Sequence, residues 1–218
     1  MITYGVTPRA LRGVILEDKM QRVYLYYAEV CGGECAHQLY PKQRMEEINA
    51  CKNDSVRREK YSAWALLRYA VTDALSLNFE DVQFVKLPSG QWICDKCSFS
   101  ISHADGAVVV ALSDLAVGVD VEKVKNINPR LAAKVLTERE FERYIELSNE
   151  GKSAFLLECW CKKEAIFKAN GGSVLLPRII ECDDYLTVAK RISINGNEYA
   201  VAIAANEKFE VEIRHAQI

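Results

Sequence analysis

Two carboxylates that stand two residues apart, Asp120 and Glu122, are well suited to holding a cation. They belong to residues 118–122 (GVDVE), whose alternation of apolar and polar residues is typical of a half-buried strand. Residues two apart on a strand point to one face, so both carboxylates project together, opposite Val119 and Val121. Oxygen ligands suit Mg²⁺, which keeps open positions for water and substrate phosphates. A solvated strand face beside basic residues is the alternative interpretation.

A helix-like segment, residues 160–168 (WCKKEAIFK), offers a third carboxylate. Trp160, Glu164 and Lys168 are spaced four residues apart, which places them along one stripe of a helix. Glu164 can complete a three-carboxylate set for the cation, and Lys168 can meet a phosphate as a point charge. The alternative is an ordinary favourable Glu–Lys helix pair, worth about 0.2–0.5 kcal/mol.

Ser102 and His103 end another strand-like segment, residues 99–104 (FSISHA). Adjacent residues on a strand face opposite sides, which disfavours a serine nucleophile with the histidine as its base. A hydroxyl and an imidazole at the end of a strand are better suited to binding a phosphate. We therefore expect Ser102 and His103 to bind an anionic group.

The elements that must position these residues fall into two groups along the chain. Periodicity, turn and capping signals predict strands around one long helix, then three helices and a final group of strands. The first group has strands over 22–30, 82–87, 99–101, 107–112 and 117–122 and a helix from 54 or 55 to 77; the second has helices opening at 128–129 and at Thr137 and spanning 152–170, and strands over 178–182, 185–194, 199–204 and 209–214, with a hairpin turn at Asn195-Gly196. This order predicts an α+β fold with two α+β halves, residues 1–124 and 125–218.

The composition limits the class of protein and of partner. The 218 residues carry 28 Lys and Arg against 30 Asp and Glu, a net charge of −2, so no overall field attracts nucleic acid or an anionic membrane. Half of the residues are hydrophobic and 27% are charged, as in globular proteins. Apolar runs such as residues 107–112 are too short to span a bilayer, and the first residues lack the apolar core of a signal peptide. These features predict a cytoplasmic protein.

The eight cysteines predict mostly buried, unlinked thiols. Cys94 and Cys97 form a C-x-x-C, and Cys31 and Cys35 form another close pair, so a metal or redox role is the alternative. Unequal spacings and the long stretch between the pairs argue against zinc.

Taken in order, the three polar segments resemble the 4'-phosphopantetheinyl transferases of the large, surfactin-synthetase-activating (Sfp-like) type. The family pattern is a Ser-His pair after a G-K-P turn, then G-[VI]-D-[VIL]-E, then W-x-x-K-E-A-x-x-K. This sequence supplies Ser102-His103, residues 118–122, and Trp160, Lys163, Glu164, Ala165 and Lys168. Residues 136–141 (LTEREF) also look like the family's segment between the last two motifs. The resemblance extends over most of the chain from about Tyr40 onward.

The resemblance implies transfer of 4'-phosphopantetheine from coenzyme A to a serine of an apo acyl or peptidyl carrier protein, with release of adenosine 3',5'-bisphosphate. It implies Mg²⁺, with Mn²⁺ as the alternative, held by Asp120, Glu122 and Glu164. The implied catalytic residues are Glu164 as the base, with a water bound to the cation as the alternative, and Lys168 and His103 at the leaving phosphate. The implied coenzyme-binding residues are Ser102, His103, Lys163 and Lys168, joined in the N-terminal half by Lys42, Arg44 and Arg58.

One position departs from the family pattern. Where relatives usually have G-K-P, this chain reads Gly90-Gln91-Trp92, so the lysine that helps to hold the nucleotide phosphate is absent. Either Lys86 or Lys96 substitutes for it, or coenzyme A is held less tightly.

The resemblance also implies a pseudo-two-fold arrangement of the two halves, because the small members of the superfamily are about half as long and assemble with sites between subunits. We expect a monomer with its active site in the cleft between the halves.

Two alternative functions remain open. One is a Mg²⁺-dependent phosphohydrolase acting on a nucleotide-type diphosphate, and the other is a non-catalytic module that binds coenzyme A or a carrier protein. We expect the acidic carrier to dock on a basic and apolar patch formed by Lys123, Lys125, Arg130, Leu131, Lys134, Val135 and Arg139.

Overall fold

The computed structural model describes residues 21–31, 40–172 and 174–218; Cys35, of the predicted second cysteine pair, lies outside them. The mixture of helices and antiparallel sheets confirms the predicted α+β class. In chain order the elements are β1 (Gln21–Glu29), α1 (Lys42–Asn49), α2 (Asp54–Leu75), β2 (Phe84–Lys86), β3 (Trp92–Cys94), β4 (Ser98–Ala104), β5 (Ala107–Ser113), β6 (Val117–Lys123), α3 (Ala132–Val135), α4 (Glu138–Ile145), α5 (Asn149–Ala169), β7 (Leu186–Ile194), β8 (Asn197–Ala205) and β9 (Phe209–His215).

The main sheet has the order β4-β5-β1-β9, in which β1 is antiparallel to β5 and parallel to β9. A second sheet has the order β6-β8-β7, and β2 with β3 forms a small separate hairpin. Strand β6 precedes the predicted boundary at residue 124 but pairs with β8, and β9 follows that boundary but pairs with β1. The sheets therefore exchange strands across the boundary, and the division into two halves stays a prediction.

Helix α2 covers one face of the main sheet. Its apolar positions Ala63, Leu66, Leu67, Ala70 and Val71 are all fully buried, and their helical spacing joins them into one core stripe. The helix begins after Asn53, whose side chain accepts from the backbone N–H groups of residues 55 and 56. The predicted long helix is thus confirmed, with its cap one or two residues earlier than expected.

Gly118 allows α5 to lie directly against β6. A Cβ atom on this residue would stand 1.9 Å from the carbonyl oxygen of Ala165 and 2.5 Å from the backbone nitrogen of Ala169. Because no side chain fits in that space, the first residue of the GVDVE segment sets the distance between the strand and the helix. This contact holds the carboxylates of β6 beside those of α5.

Local capping and turn signals are confirmed elsewhere. Thr137 and Glu140 form the expected capping box of α4, and Asn195 and Gly196, both with positive φ, make the two-residue turn between β7 and β8. Helix α5 begins at Asn149, after the cap Ser148, so Gly151 lies in its first turn and does not separate two helices.

The predicted strand over 178–182 is wrong, because residues 177–179 and 182–184 form two short 3₁₀ turns. Tertiary hydrogen bonds hold this segment in place. Glu181 accepts from the hydroxyl of Thr137 at 2.6 Å, and the backbone N–H of Cys182 donates to Glu140 at 3.2 Å. The strand predicted over 82–87 is also shorter than expected, since only β2 forms there.

Within the described ranges, no helix is both long enough and apolar enough to cross a membrane.

Candidate functional site

Three elements meet at a polar cluster formed by Ser102 on β4, Asp120 on β6 and Lys168 on α5. The Lys168 ammonium donates to Asp120 Oδ1 at 2.8 Å, to the carbonyl oxygen of Val119 at 3.1 Å and to Ser102 Oγ at 3.2 Å. The Ser102 hydroxyl donates to the same Asp120 oxygen at 2.8 Å. Asp120 is only 5% exposed, and its Oδ2 is buried without a hydrogen-bond partner among the described residues. A buried carboxylate oxygen of this kind can serve as a ligand for a cation.

Glu122 and Glu164 bring two more carboxylates to this cluster. Trp160 on α5 donates its indole N–H to Glu122 Oε1 at 3.0 Å, which holds the end of β6 against the helix. Burial, and then the neighbouring charge of Asp120, raises the pKa of Glu122 above its usual value. Burial likewise raises the pKa of Glu164; Lys168 opposes this shift, and the charges of Asp120 and Glu122 add to it. The three acids therefore repel one another in the way that a bound cation would relieve.

The carboxylates fit a hard cation by the chemistry of their donor atoms, which are all oxygen. They do not form a closed ligand set, because in the described part of the chain only Glu140, Cys159 and Cys182 bring three such ligand atoms within 4.8 Å of one another. That second cluster already contains the ammonium group of Lys163. The orphaned Asp120 oxygen and the raised pKa values of Glu122 and Glu164 thus favour the predicted magnesium set over the cluster around Glu140.

A cavity of about 330 Å³ opens beside the polar cluster. Its polar lining includes Arg44 on α1, His103 on β4 and Lys168 on α5, and its apolar lining includes Trp64 and Phe167. Three basic side chains on an aromatic wall suit a ligand that is both anionic and partly apolar. The cavity therefore brings residues of both predicted halves to one place.

The structure also pairs His103 with a residue that the sequence analysis missed. His103 Nδ1 lies 2.9 Å from Glu59 Oε2, and Glu59 is only 8% exposed. Burial lowers the pKa of His103, whereas the Glu59 carboxylate opposes that shift. The sequence contained a signal for this residue: Glu59 precedes Ala63 by four positions, so it places a charged group on the buried stripe of α2.

The three basic residues predicted in the N-terminal half have different surroundings. Arg44 is largely buried; it lies over the Trp64 ring at 5.5 Å and donates to Glu47 at 3.2 Å. The Lys42 side chain is 92% exposed, with Glu46 at 4.0 Å. Arg58 is exposed, and its carbonyl oxygen accepts from the Ser62 hydroxyl at 2.9 Å. The structure brings Arg44 to the cavity wall and leaves Lys42 and Arg58 off it.

Lys163 needs a correction. It was predicted to bind coenzyme A, but its side chain is fully buried away from the cavity. Its ammonium donates to Glu140, to the carbonyl oxygen of Val135 at 2.8 Å and to that of Pro177 at 2.9 Å. All three donor positions of the ammonium are used, so Lys163 joins α3, α4 and α5 and cannot reach a ligand in the cavity.

Gln91 stands at the departure from the family pattern and reaches the end of α5. Its amide nitrogen donates to the carbonyl oxygen of Lys168 at 3.4 Å, and a Cβ on Gly171 would lie 3.0 Å from its Oε1. Lys86 pairs with Glu47 at 2.5 Å, and Lys96 pairs with Asp95 at 2.9 Å. Neither lysine lines the cavity, so neither replaces the absent lysine in this arrangement.

Six cysteines of the described ranges, at positions 51, 94, 97, 159, 161 and 182, are free thiols as predicted, whereas Cys31 is disulfide-bonded. The sulfurs of Cys94 and Cys97 lie 3.7 Å apart, and a hydrogen bond with Cys97 lowers the pKa of Cys94 to about 6. Among the described residues, no third ligand atom joins the pair within 4.8 Å. The structure therefore shows two neighbouring thiols and no metal-ligand set at the C-x-x-C.

Comparison with protein families supports the predicted resemblance. Residues 116–213 match the model of a family described as the 4'-phosphopantetheinyl transferase superfamily. The match runs from β6 to β9 and includes Asp120, Glu122, Glu164 and Lys168; Ser102 and His103 precede it. The resemblance predicted from the motifs is thereby confirmed over this part of the chain.

Individual relatives agree with the family match. The chain is 29% identical over 113 residues to the 4'-phosphopantetheinyl transferase gsp of Aneurinibacillus migulanus. The aligned region covers 51% of this chain and 48% of that protein. It is 25% identical over 115 residues to Sfp of Bacillus subtilis strain 168, covering 51% of each. A holo-[acyl-carrier-protein] synthase of Streptococcus thermophilus is 40% identical over 63 residues, covering 26% of this chain and 53% of that protein. The chain thus spans about half the length of these curated relatives.

Proposed function

We propose that this protein transfers the 4'-phosphopantetheine arm of coenzyme A to a serine hydroxyl of an apo carrier protein, releasing adenosine 3',5'-bisphosphate. One observation carries the proposal: Ser102, Asp120 and Lys168 converge from three elements beside an anion-suited cavity, with Glu122 and Glu164 adjoining. The resemblance to named transferases and holo-carrier synthases supports it.

The cation that the reaction uses would be Mg²⁺ or Mn²⁺, held by Asp120, Glu122 and Glu164. When bound, such an ion supplies positive charge that neutralises the pyrophosphate of coenzyme A. Lys168 donates to Asp120, Val119 and Ser102 and is 27% exposed, so it can exchange one of these partners for a phosphate oxygen in the cavity. Its ammonium would stabilise the negative charge that grows on the departing 5'-phosphate of adenosine bisphosphate.

Proton transfer from the carrier serine falls to Glu164 or to a water bound to the cation. The serine oxygen attacks the phosphorus that bears the pantetheine arm, the bond to the bridging pyrophosphate oxygen breaks, and the hydroxyl proton must leave. Burial raises the pKa of Glu164 in the metal-free protein, and either this carboxylate or a water bound to the cation would accept the serine proton.

Binding of coenzyme A would use the basic wall of the cavity. We assign its phosphates to His103, Lys168, Ser102 and Arg44, which the structure brings to one region. Lys42 and Arg58 would act only from the rim, on account of their exposure. Gln91 in place of lysine removes one positive charge from this wall, which predicts weaker coenzyme A binding than in relatives that carry the lysine.

The carrier protein would dock beside β6 on exposed residues of the turn that follows. Arg130, Lys134 and Arg139 are exposed there, and Leu131 is 42% exposed, whereas Val135 is buried and drops out of the predicted patch. Charge reversal at Arg130 and Lys134 should raise the KM for the carrier and leave that for coenzyme A unchanged. Reversal at Lys190 and Lys208, which are exposed on β7 and before β9, provides the matched control. Equal changes in both KM values would contradict this docking surface.

We further propose that the protein acts as a cytoplasmic monomer whose two halves share a pseudo-two-fold arrangement. Strand exchange between the sheets supports a single cooperative unit. Sedimentation of the purified chain across a range of concentrations tests the monomer, and a concentration-dependent dimer would contradict it.

The test of the activity is incubation with coenzyme A, Mg²⁺ and an apo carrier protein, followed by mass spectrometry of the carrier. We expect a gain of one phosphopantetheine arm, and its loss in the Asp120→Asn and Glu164→Gln variants. Asp114→Asn, in the exposed turn after β5, is the matched control and should keep the gain. No gain on any of several carriers would overturn the proposal; hydrolysis of coenzyme A without an acceptor would favour the phosphohydrolase, and binding without turnover the non-catalytic module.

A further inference from the structure

We propose that Glu59 is a positioning residue that orients the His103 imidazole and supports its protonated form when a phosphate enters the cavity. The inference rests on the proposed function in one respect only, the identity of the phosphate ligand. The pairing itself stands on the contact between α2 and β4.

Glu59 is placed where a carboxylate is costly. The residue is 8% exposed on the apolar side of α2, while its neighbour Arg58 is exposed and Lys60 is partly exposed. An ionised carboxylate at such a depth must be paired or hydrogen-bonded to be tolerated. The partner that the structure provides is His103, at 2.9 Å, on a strand that the helix covers.

The chemistry of the pair fixes the direction of the histidine ring. An ionised carboxylate can only accept hydrogen bonds, so the contact requires a proton on His103 Nδ1. The other ring nitrogen, Nε2, is then the one available to a ligand in the cavity that His103 lines. A second residue that selects the tautomer and the ring orientation is a common arrangement behind functional histidines.

The charge of Glu59 gives the pair its second role. Without a ligand, burial and the positive groups of Lys168 and Arg44 work against a charged imidazole, and Glu59 works in favour of it. A phosphate in the cavity adds negative charge on the open side of the ring. Between that anion and Glu59, Nε2 can take up a proton and donate a hydrogen bond to a phosphate oxygen.

The experiment compares Glu59→Leu and Glu59→Gln with wild-type protein. Leucine removes both the hydrogen bond and the charge, whereas glutamine keeps an acceptor oxygen and removes only the charge. Glu80→Gln, an exposed residue beyond the end of α2, is the matched control. The first readout is the ¹⁵N NMR signal of the histidine side chains, in which the His103 resonances are assigned by their loss in His103→Asn.

We expect wild-type His103 to carry its proton on Nδ1 in the free protein and to gain a second proton on Nε2 when adenosine 3',5'-bisphosphate is added. Glu59→Gln should keep the Nδ1 proton but not gain the second one. Glu59→Leu should lose the single tautomer. An unchanged tautomer in Glu59→Leu, or full protonation with ligand in Glu59→Gln, would overturn the proposal.

The second readout is calorimetric binding of adenosine 3',5'-bisphosphate. Loss of one charge-assisted hydrogen bond predicts a Kd roughly tenfold higher in Glu59→Leu, with Glu80→Gln unchanged. In a His103→Asn background the Glu59→Gln substitution should have no further effect, because Glu59 acts through the ring. Additive effects would overturn the positioning role, and the glutamine variant keeps this test open if the leucine variant does not fold.

The two proposals fail in different ways. Wild-type protein that keeps the Nδ1 proton but binds no adenosine 3',5'-bisphosphate would overturn the proposed function, and with it the ligand-linked part of this inference. Transfer to a carrier that persists while His103 has no contact with Glu59 would overturn this inference alone.

Discussion

Helix α5 carries two lysines, Lys163 and Lys168, each of which pairs with a carboxylate of another element. Lys163 is fully buried, and its ammonium donates hydrogen bonds to Glu140 and to two backbone carbonyl oxygens. Lys168 is partly exposed, and its partner Asp120 keeps one buried oxygen without a hydrogen bond. Each ammonium makes three hydrogen bonds, so the two pairs differ in their carboxylates: both oxygens of Glu140 accept hydrogen bonds, whereas Asp120 has one oxygen without a partner.

The difference between the two pairs separates a structural role from a chemical one. Glu140 also accepts from the backbone of Thr137 and of Cys182, so the Lys163 pair fastens α4 and the 3₁₀ turns to α5 and leaves nothing for a ligand. The Lys168 pair borders a cavity and can exchange partners when an anion or a cation arrives. Within one motif, unsatisfied hydrogen-bonding capacity therefore marks the residues to test for catalysis.

The largest effect is expected from Lys163→Met. Removing one partner leaves the buried carboxylate of Glu140 uncompensated, which should lower the free energy of unfolding by about 3–5 kcal/mol. Urea unfolding followed by circular dichroism measures it. The Lys163→Met/Glu140→Gln double variant should be less destabilised than the sum of its single variants. Strict additivity would mean that the two side chains do not form one unit.

The matching change at the other pair, Lys168→Met, should behave in the opposite way. We expect a loss of about 10²-fold in kcat, because a donor to the leaving phosphate is removed. The loss of stability should be smaller than in Lys163→Met, since Lys168 is 27% exposed although Asp120 is buried. Steady-state transfer assays and urea unfolding of the same preparation measure both, and a large loss of stability with normal kcat would erase the contrast between the lysines.

Gly118→Ala tests the spacing on which the Lys168 pair depends. The new methyl group overlaps the backbone of Ala165, so α5 must move away from β6 at a cost of about 1–3 kcal/mol. We expect weaker Mg²⁺ binding as well, measured by calorimetry, because Asp120 and Glu164 move apart. Gly151→Ala, in the first turn of α5, is the control and should leave Mg²⁺ binding unchanged. Intact metal binding in Gly118→Ala would show that the carboxylates tolerate a shift of the helix.

The smallest expected effect is on the pH dependence of the free energy of unfolding. The contributions of Glu140 and Glu164 to this dependence should have opposite signs. Burial would raise the pKa of Glu140, but hydrogen bonds from Lys163, Thr137 and Cys182 hold this pKa below 4.5. The ionised Glu140 therefore stabilises the fold above pH 4.5, and this stabilisation is lost as the pH falls through the folded-state pKa. Burial raises the pKa of Glu164, so its contribution is present below pH 4.5 and is lost as the pH rises through its folded-state pKa.

Free energies of unfolding measured without added metal from about pH 2 to about pH 7 test this contrast. Glu140→Gln should flatten the decline on the acid side. Glu164→Gln should be more stable than wild type at neutral pH, with the difference shrinking as the pH falls. Parallel pH profiles in the two variants would contradict the opposite signs.

Sequence reasoning identified the parts of the fold that local chemistry determines. The stripe of α2, the Thr137 capping box and the Asn195-Gly196 turn each depend on residues a few positions apart. The segment 178–182 could not be predicted in the same way, because its conformation depends on bonds to Thr137 and Glu140 some forty residues earlier in the chain.

In the candidate site, the sequence motifs identified the residues that share one face of a strand or one stripe of a helix. Lys168 pairs with Asp120, and the charges of Lys168, Asp120 and Glu122 act on Glu164. Periodicity predicted the shared strand face and the shared helix stripe, and the combined metal set stays a prediction. Lys163 has the same type and lies in the same motif as Lys168, and only the tertiary structure shows that it turns away from the cavity. Glu59 was missed because its partner, His103, lies 44 residues away in sequence.

Strand β9 has a consequence for the order in which the protein can assemble. Residues 209–215 pair in parallel with β1, so the edge of the main sheet is completed by a strand that follows all the other described strands in the sequence. Until the ribosome has released that strand, β1 presents an unpaired edge on which another chain can add. Fusion partners or truncations that delay or remove β9 should therefore promote aggregation even though they leave every residue around the cavity in place.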